Sequence, residues 1–243
     1  MSTTDPLDGL VNLRDLGGQP LGGGALTRSG VVYRSDAPHI GDRNPEDVPS
    51  WPPSVVVDLR GSWETKDEEH PLAGVAEVHH VSLLEDLQDV EIEIDDAAHD
   101  LTKLYQTILQ GASKKLVEVF RIVLEADGPA LIHCSAGKDR TGVSAALLLS
   151  AAGVRDDAIV ADYSRTDQNM LRVLQRLDKA PIFPPGVDEE MVRELMSTPT
   201  EAIESVLETF AAHEDRAAGW LRSHGATEEE LTRWRRKFNA EPS

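Results

Sequence analysis

One cysteine, Cys134, stands at the start of a short loop that ends in an arginine. The surrounding sequence is HCSAGKDRTG, residues 133–142, so five residues separate Cys134 from Arg140. An apolar run precedes the loop and a run of small residues and leucines follows it, which predicts a strand, a tight loop and a helix. The backbone N–H groups of such a loop, together with the positive end of the following helix, favour anion binding.

The loop therefore predicts a phosphate site with a nucleophile at its entrance. The guanidinium of Arg140 can hold two phosphate oxygens at once. Six loop residues are expected to line the phosphate: Ser135, Ala136, Gly137, Lys138, Asp139 and Arg140. The positive field that binds a dianion also stabilises a thiolate, the reactive form of cysteine. A lone cysteine after a strand is usually a small buried hydrophobic residue, but a core position does not require the charges and glycines that follow Cys134.

Other sites built from similar residues do not fit. A nucleotide-binding loop requires Ser or Thr directly after Gly-Lys, whereas Asp139 follows Lys138. A zinc or redox centre would need more thiols than one. The acidic run Glu85–Asp100 lacks a defined ligand spacing and is interpreted as a solvated surface. We therefore expect neither a metal nor another cofactor.

The charge balance limits the classes of partner. The chain of 243 residues has 43 acidic and 24 basic residues, a formal net charge of −19. Such a surface repels nucleic acid and anionic membranes. The first residues do not resemble a signal peptide, and no apolar run approaches the roughly 20 residues of a membrane span. A single cysteine excludes an internal disulfide and is typical of a reducing compartment. We expect a cytoplasmic protein without stable membrane insertion.

The elements around the loop predict one α/β domain over residues 1–243. Four runs rich in β-branched residues predict strands: Val31–Arg34, Val55–Leu59, Val75–Val81 and Ala130–His133. Two helices with a break at Gly111 precede the fourth strand. Further helices are predicted at Asp156–Ser164, Thr166–Leu177, Glu189–Met196, Thr200–His213 and Thr227–Phe238, the last with a capping box. Residues 1–153 would contain a central, mostly parallel sheet of four to five strands flanked by helices, and residues 154–243 a helical part.

The loop resembles the signature of the cysteine-dependent protein tyrosine phosphatases, and its AGKDRTG core is similar to that of the atypical bacterial members. Further blocks resemble this family in the same order: VNLRDLGG from Val11, VYRSD from Val32, VVDLRGSWE from Val56, IVADYSRT from Ile159, and the segment Gly219–Phe238. The resemblance covers most of the chain and implies the phosphatase fold. It also implies that helices between Asp162 and His213 form a lid that shields the cysteine from oxidation.

The resemblance implies hydrolysis of phosphomonoesters through a cysteinyl-phosphate on Cys134, which water then cleaves. Arg140 and the loop amides would stabilise the charge that develops on the phosphate oxygens. His133 is expected to orient the loop and support the thiolate. Thr141 is expected to hydrogen-bond the cysteine sulfur.

The general acid that protonates the leaving group has two candidates by resemblance. Asp139, inside the loop, is favoured. Asp86, on a separate loop, is the alternative, with Glu85 and Asp89 as nearby competitors. The text around Asp86 departs from the proline-containing version found in the family.

Lys138 bears on the substrate class. In the family it accompanies broad specificity that includes phosphoserine, phosphothreonine and phosphoinositides. It could equally form an ion pair with Asp139 or with a carboxylate from the strand that contains Asp58. We expect a protein tyrosine phosphatase, with dual or broader specificity, that acts on phosphorylated proteins or peptides. The alternatives are a phosphoinositide or inositol phosphate phosphatase, and a non-catalytic phosphate-binding module, although the latter usually lacks the cysteine or the arginine.

Several other charged residues are predicted to be structural. Arg60 and Glu64 could pair across a turn. Asn12, Arg14 and Asp15 are expected to brace the loop region, because a buried arginine seldom lacks a partner.

Overall fold

Five strands form one sheet in the computed structural model, which describes residues 7–65, 68–85, 97–177 and 199–240. The strands are β1 (Arg14–Asp15), β2 (Val32–Ser35), β3 (Val55–Asp58), β4 (Glu77–His80) and β5 (Ala130–His133). Their order is β1-β2-β5-β3-β4, with β1 antiparallel to β2 and every other pair parallel. The four predicted strands are confirmed. The two-residue β1 was not predicted, because two residues cannot show a periodicity.

Nine α-helices lie within the described residues. They are α1 (Ser62–Thr65), α2 (Ala97–Gly111), α3 (Ser113–Glu125), α4 (Asp139–Ala152), α5 (Asp156–Ser164), α6 (Met170–Arg176), α7 (Thr200–Ala211), α8 (Arg216–Ser223) and α9 (Glu228–Phe238). The capping box at the start of α9 is confirmed. The break expected at Gly111 falls at Ala112. The predicted helix Glu189–Met196 lies outside the described residues.

The core forms where the apolar faces of the sheet and of the helices pack against each other. One face of the sheet packs against helices, and the other is covered by residues from the connecting segments, including Val48, Trp51 and Leu72. The predicted apolar helix is α4, buried from Thr141 to Ala152, and it contacts helices from both parts of the chain. The two predicted parts therefore share one core. No helix among the described residues is long and apolar enough to cross a membrane.

Only part of the range predicted to form a lid, Asp162 to His213, lies within the described residues. The helices at the two ends of this range, α5 and α7, are core elements: Asp162 is buried, and Ile203 and Phe210 are fully buried. Both helices therefore contribute to the core, and the lid stays a prediction. Residues 178–198, between α6 and α7, lie outside the described residues.

The strand ends determine where the loop lies. Ser35 of β2 and Asp58 of β3 are both in register with His133 of β5. The carboxyl ends of three parallel strands therefore meet at one level, and the loop from Cys134 to the start of α4 follows directly. This edge of a parallel sheet is where α/β proteins commonly bind ligands.

Candidate active site

The loop between β5 and α4 has its carbonyl groups turned outward. Asn12 Nδ2 donates to the carbonyl oxygens of Ala136 at 3.2 Å and Gly137 at 3.3 Å, and Arg34 Nη2 donates to that of Gly137 at 2.9 Å. The C=O and N–H of one planar peptide group point in opposite directions. The N–H groups of Gly137 and Lys138 therefore face the loop centre, and no described residue accepts a hydrogen bond from them. The result is an anion-binding nest.

Gly137 allows the loop to lie this close to the sheet. Its φ is +70°, in the region that favours glycine, and an added Cβ would lie 2.2 Å from the carbonyl oxygen of Ser35. Because the obstructing atom belongs to the backbone of β2, only a shift of the loop could relieve the clash.

Two buried arginines connect the nest to the rest of the molecule. Asp162 Oδ1 accepts from Arg14 Nε at 2.8 Å, and Oδ2 accepts from Arg34 Nη1 at 2.7 Å. Arg14 Nη1 also donates to Asn12 Oδ1 at 2.7 Å. Burial raises the pKa of Asp162, but the charges of Arg34 and Arg14 outweigh it and lower the pKa overall. The predicted bracing roles of Asn12 and Arg14 are confirmed. Asp162 and Arg34 were given no such role, although an arginine within an apolar strand was a signal for it.

Arg140 is held by a carboxylate from α1. Its Nη1 and Nη2 both donate to Glu64, the Nη2 bond to Oε1 measuring 2.9 Å. Ser135 Oγ donates to the same Oε1 at 2.6 Å, and the N–H of Gly61 donates to Oε2 at 2.9 Å. Burial raises the pKa of Glu64, but the hydrogen bonds from Arg140 and Ser135 outweigh it and lower the pKa to about 2. These bonds use the edge of the guanidinium that Nη1 and Nη2 form. The edge formed by Nε and the outer N–H of Nη2 is left for a phosphate.

One expected ion pair and one expected bracing role are wrong. Glu64 pairs with Arg140 and not with Arg60, because α1 turns the glutamate toward the loop. Arg60 binds Asp58, with Nε 2.9 Å from Oδ1 and Nη2 2.6 Å from Oδ2. Asp15 does not brace the loop. It accepts from the N–H groups of Gly17 and Gly30, both at 2.8 Å, and so fixes the turns that flank β1 and β2.

Cys134 lies at the bottom of the loop and is only 2% exposed. His133 Nδ1 lies 3.1 Å from its carbonyl oxygen, in agreement with the expected orienting role of this histidine. Thr141 does not make the expected hydrogen bond to the sulfur. Its hydroxyl is buried within the first turn of α4 and has no partner among the described residues.

Asp139 is the first residue of α4, and a buried tyrosine supports it. Tyr105 of α2 donates its hydroxyl to Asp139 Oδ1 at 2.8 Å, and the hydroxyl of Tyr163 lies 2.7 Å from that of Tyr105. Burial and the negative charge of Asp139 raise the pKa of Tyr105, so Tyr105 remains a donor. Neither tyrosine was assigned a role from the sequence. Asp86, the other candidate acid, lies outside the described residues.

Lys138 is buried and its Nζ lies 3.9 Å from Asp139 Oδ1. Of the two ion pairs considered for this lysine, the one with Asp139 is formed. The nest opens into a cleft of about 850 Å³, lined among others by Ser135, Arg140 and Glu64, with the exposed side chains of Trp63 and Ile40 at its edge. This volume is within the usual range of ligand sites.

The model of one protein family, described as the tyrosine phosphatase family, matches residues 5–240. The chain belongs to the tyrosine phosphatase family. The loop from Cys134 to Arg140 contains three of the residues predicted for catalysis, namely Cys134, Asp139 and Arg140.

Three tyrosine phosphatase relatives are similar to parts of the chain. A Cupriavidus necator protein, whose name assigns it provisionally to the tyrosine-protein phosphatases, is 30% identical over 177 residues, 66% of this chain and 62% of that protein. Triple specificity protein phosphatase PtpB of Mycobacterium tuberculosis is 44% identical over 69 residues, 28% of this chain and 25% of PtpB. A tyrosine-protein phosphatase of Nostoc commune is 41% identical over 80 residues, 32% of this chain and 26% of that protein. The chain thus spans less than two thirds of the length of each relative.

Replacing Gly137 by alanine should damage the nest, whereas the same change at Gly153 should not. Both glycines have positive φ, but nothing lies within 4 Å of an added Cβ at Gly153. We expect G137A to bind inorganic phosphate at least about tenfold more weakly, the loss of one hydrogen bond to a charged group. G153A should lose about 1 kcal/mol of stability and keep its phosphate affinity. Calorimetric titration with phosphate and urea unfolding measure both quantities. Equal phosphate affinities for the two variants would contradict the inward-facing nest.

Glu64 should make a pH-dependent contribution to stability. Its pKa in the folded protein, about 2, lies below the 4.5 of an unperturbed glutamate, so its contribution is present above pH 4.5 and is lost as the pH falls toward 2. We expect E64Q to be less stable than the wild type by about 2 kcal/mol at pH 7, after allowance for solvent screening, with the difference shrinking below pH 4.5.

The matched control is E85Q, because Glu85 accepts only the hydroxyl of Ser62 and has no arginine partner among the described residues. Its effect on the free energy of unfolding should stay within about 0.5 kcal/mol at every pH. Urea unfolding from pH 7 to pH 3 measures both variants. A difference for E64Q that grows as the pH falls would refute the assignment of Glu64.

Proposed function

We propose that this protein hydrolyses phosphomonoesters through a cysteinyl-phosphate intermediate on Cys134, with phosphotyrosine in proteins or peptides as its preferred substrate. The observation that carries the proposal is the inward-facing amide nest between Cys134 and Arg140. A dianionic phosphate fits the donors of this nest, and the buried Cys134 begins the same loop. Membership of the tyrosine phosphatase family supports the same chemistry.

The reaction has two steps. The Cys134 thiolate attacks the phosphorus in line, an S–P bond forms, and the P–O bond to the leaving group breaks as an acid protonates the departing oxygen. Water then attacks the phosphorus, the S–P bond breaks, and inorganic phosphate and the thiolate are released. Arg140 and the loop amides stabilise the equatorial oxygens in both steps. Because these groups supply the positive field, the mechanism assigns no role to a metal or cofactor.

We assign the general acid to Asp139. The Tyr105 hydroxyl occupies Oδ1 and so fixes the carboxyl group beside the loop. This side chain is 29% exposed, so we propose that its other oxygen protonates the leaving group. Asp86 remains the alternative.

The preference for phosphotyrosine follows from the depth of the nucleophile. Cys134 is 2% exposed, and its loop neighbours Ser135 and Arg140 line the cleft. A substrate phosphate must therefore reach inward past the surface, and an aryl phosphate extends further from the peptide backbone than phosphoserine or phosphothreonine. The relative PtpB is named a triple specificity protein phosphatase, and we propose that this protein also acts on phosphoserine and phosphothreonine, at a lower rate than on phosphotyrosine. Phosphoinositides would need cations for their additional phosphates, but Lys138 is buried beside Asp139, and Glu68 and Glu69 line the cleft. A non-catalytic module is disfavoured because Cys134 and Arg140 share one site.

Replacing Cys134 by serine should abolish turnover. Serine lacks a stabilised anion at neutral pH, so we expect kcat to fall by at least about a thousandfold, while phosphate binding persists. Turnover of para-nitrophenyl phosphate, phosphotyrosine, phosphoserine and phosphothreonine peptides, and soluble phosphoinositides measures rate and preference together. Rapid acid quenching with labelled substrate should trap phosphoenzyme in the wild type only. Equal turnover by C134S and the wild type would exclude the mechanism, and a higher kcat/KM for phosphoinositides than for phosphotyrosine peptides would exclude the proposed substrate class.

Substrates with different leaving groups can show whether Asp139 or Asp86 is the general acid. A general acid contributes about 100-fold or more where the leaving oxygen is strongly basic, and little where it leaves as a stable anion. D139N should therefore lose far more activity on phenyl phosphate than on para-nitrophenyl phosphate. D86N is the matched control and should lose equal, small amounts on both substrates. The reverse pattern would assign the acid to Asp86.

A further inference from the structure

Two buried histidines form a pair directly behind Cys134. His70 precedes β4 in the chain and is 5% exposed, and His133, the last residue of β5, is fully buried. Their Nε2 atoms lie 3.0 Å apart. Because this is a hydrogen-bond distance, one of the two nitrogens must carry a proton and the other must present a lone pair.

The hydrogen bonds at the other ring nitrogens decide which histidine is the donor. The backbone N–H of Leu72 donates to His70 Nδ1 at 3.1 Å. A neutral imidazole with an accepting Nδ1 carries its proton on Nε2. His70 Nε2–H therefore donates to His133 Nε2, and His133 must carry its proton on Nδ1. That proton points to the carbonyl oxygen of Cys134, 3.1 Å from Nδ1. The chain Leu72, His70, His133, Cys134 has one consistent set of donors.

Both histidines are neutral at physiological pH. Burial and the neighbouring His133 lower the pKa of His70 to about 3. Burial also lowers the pKa of His133, and the opposing effect of Asp58 is incomplete. Asp58 Oδ1 lies 3.9 Å from His133 Nε2, but both of its oxygens are bound by Arg60.

The same residues could be considered for a metal. Candidate ligand atoms of Asp58, His70 and His133 lie within 4.8 Å of one another. Metal binding through both Nε2 atoms would require His70 to carry its proton on Nδ1. That nitrogen accepts the Leu72 N–H, so the observed hydrogen bonds are incompatible with metal binding in this arrangement.

We propose that His70 is a positioning residue for the reaction at Cys134. By fixing the tautomer of His133, it places a donor against the Cys134 carbonyl and so sets the peptide group between Cys134 and Ser135. The N–H of that peptide group belongs to Ser135 and points the opposite way, into the phosphate nest. The proposal rests on the proposed function, because it concerns the same nest and nucleophile.

Two substitutions at His70 separate its hydrogen bonds. H70Q places an amide N–H near the position of Nε2 and can still donate to His133. H70N keeps an acceptor for the Leu72 N–H but is too short to reach His133. We expect H70N to lower kcat/KM for para-nitrophenyl phosphate about tenfold, the effect of one hydrogen bond lost from a buried network, and H70Q to stay within about threefold of the wild type. The two variants should alkylate differently with iodoacetamide, Cys134 of H70N reacting more slowly at neutral pH.

A double-mutant cycle tests whether His70 acts through His133. H133N places an amide N–H near Nδ1, so its hydrogen bond to Cys134 no longer depends on a tautomer. In that background, H70N should lower kcat/KM by no more than about twofold. A full additional loss in the double variant would overturn the proposed route through His133.

NMR of the protein labelled with ¹⁵N-histidine gives a readout that does not need activity. Long-range ¹H–¹⁵N correlations should show the proton of His70 on Nε2 and that of His133 on Nδ1, with His133 shifting to a mixture of tautomers in H70N. A wild-type His133 protonated on Nε2 would overturn the positioning role even in an active enzyme. Absence of phosphatase activity in a protein with the expected tautomers would instead refute the proposed function. If H70N does not fold, the wild-type spectrum and H70Q still decide the question.

Discussion

Inward-facing N–H groups can exist in a loop only if the carbonyl oxygens of the same peptide groups are held on its outside. In residues 134–138 every carbonyl oxygen has such a partner. His133 faces the first, the N–H of Ala37 donates to the second, and Asn12 and Arg34 donate to the others. These partners come from the strand before the loop, the end of β2 and the N-terminal segment. The phosphate nest is therefore made by its surroundings as much as by its own sequence.

The buried charges behind the loop serve the same constraint. Asp162 lies between Arg14 and Arg34, and the side chains of all three are at most 4% exposed. Desolvating three charges is costly, and a buried ion pair by itself is weak evidence for stability. What the cluster achieves is orientation, since Arg34 reaches the loop directly and Arg14 reaches it through Asn12. The free-energy cost of this desolvation is offset because each charged group has defined partners. Loss of Asp162 would leave two buried arginines without their shared carboxylate.

Charge around the site is matched closely even though the whole protein is strongly acidic. Glu64 fixes Arg140, and Asp139 lies beside Lys138 and under the hydroxyl of Tyr105. Each loop cation therefore has a carboxylate next to it before any substrate arrives. The backbone N–H groups of the nest and one edge of Arg140 are left as donors. A compact phosphate can use these donors, whereas a larger polyanion would also meet the surrounding acidic residues.

Local features of the sequence determined the strands, most helices and the loop from Cys134 to Arg140, because periodicity and the spacing of a motif depend only on neighbours in the chain. They did not determine β1 or α1, which are too short to show a pattern. Tertiary structure alone decided that Glu64 holds Arg140, that Tyr105 supports Asp139 and that His70 faces His133. These partners are 76, 34 and 63 residues apart, and none carries a local signal. Such pairs depend on how the strands end at one edge of the sheet, which only the folded chain defines.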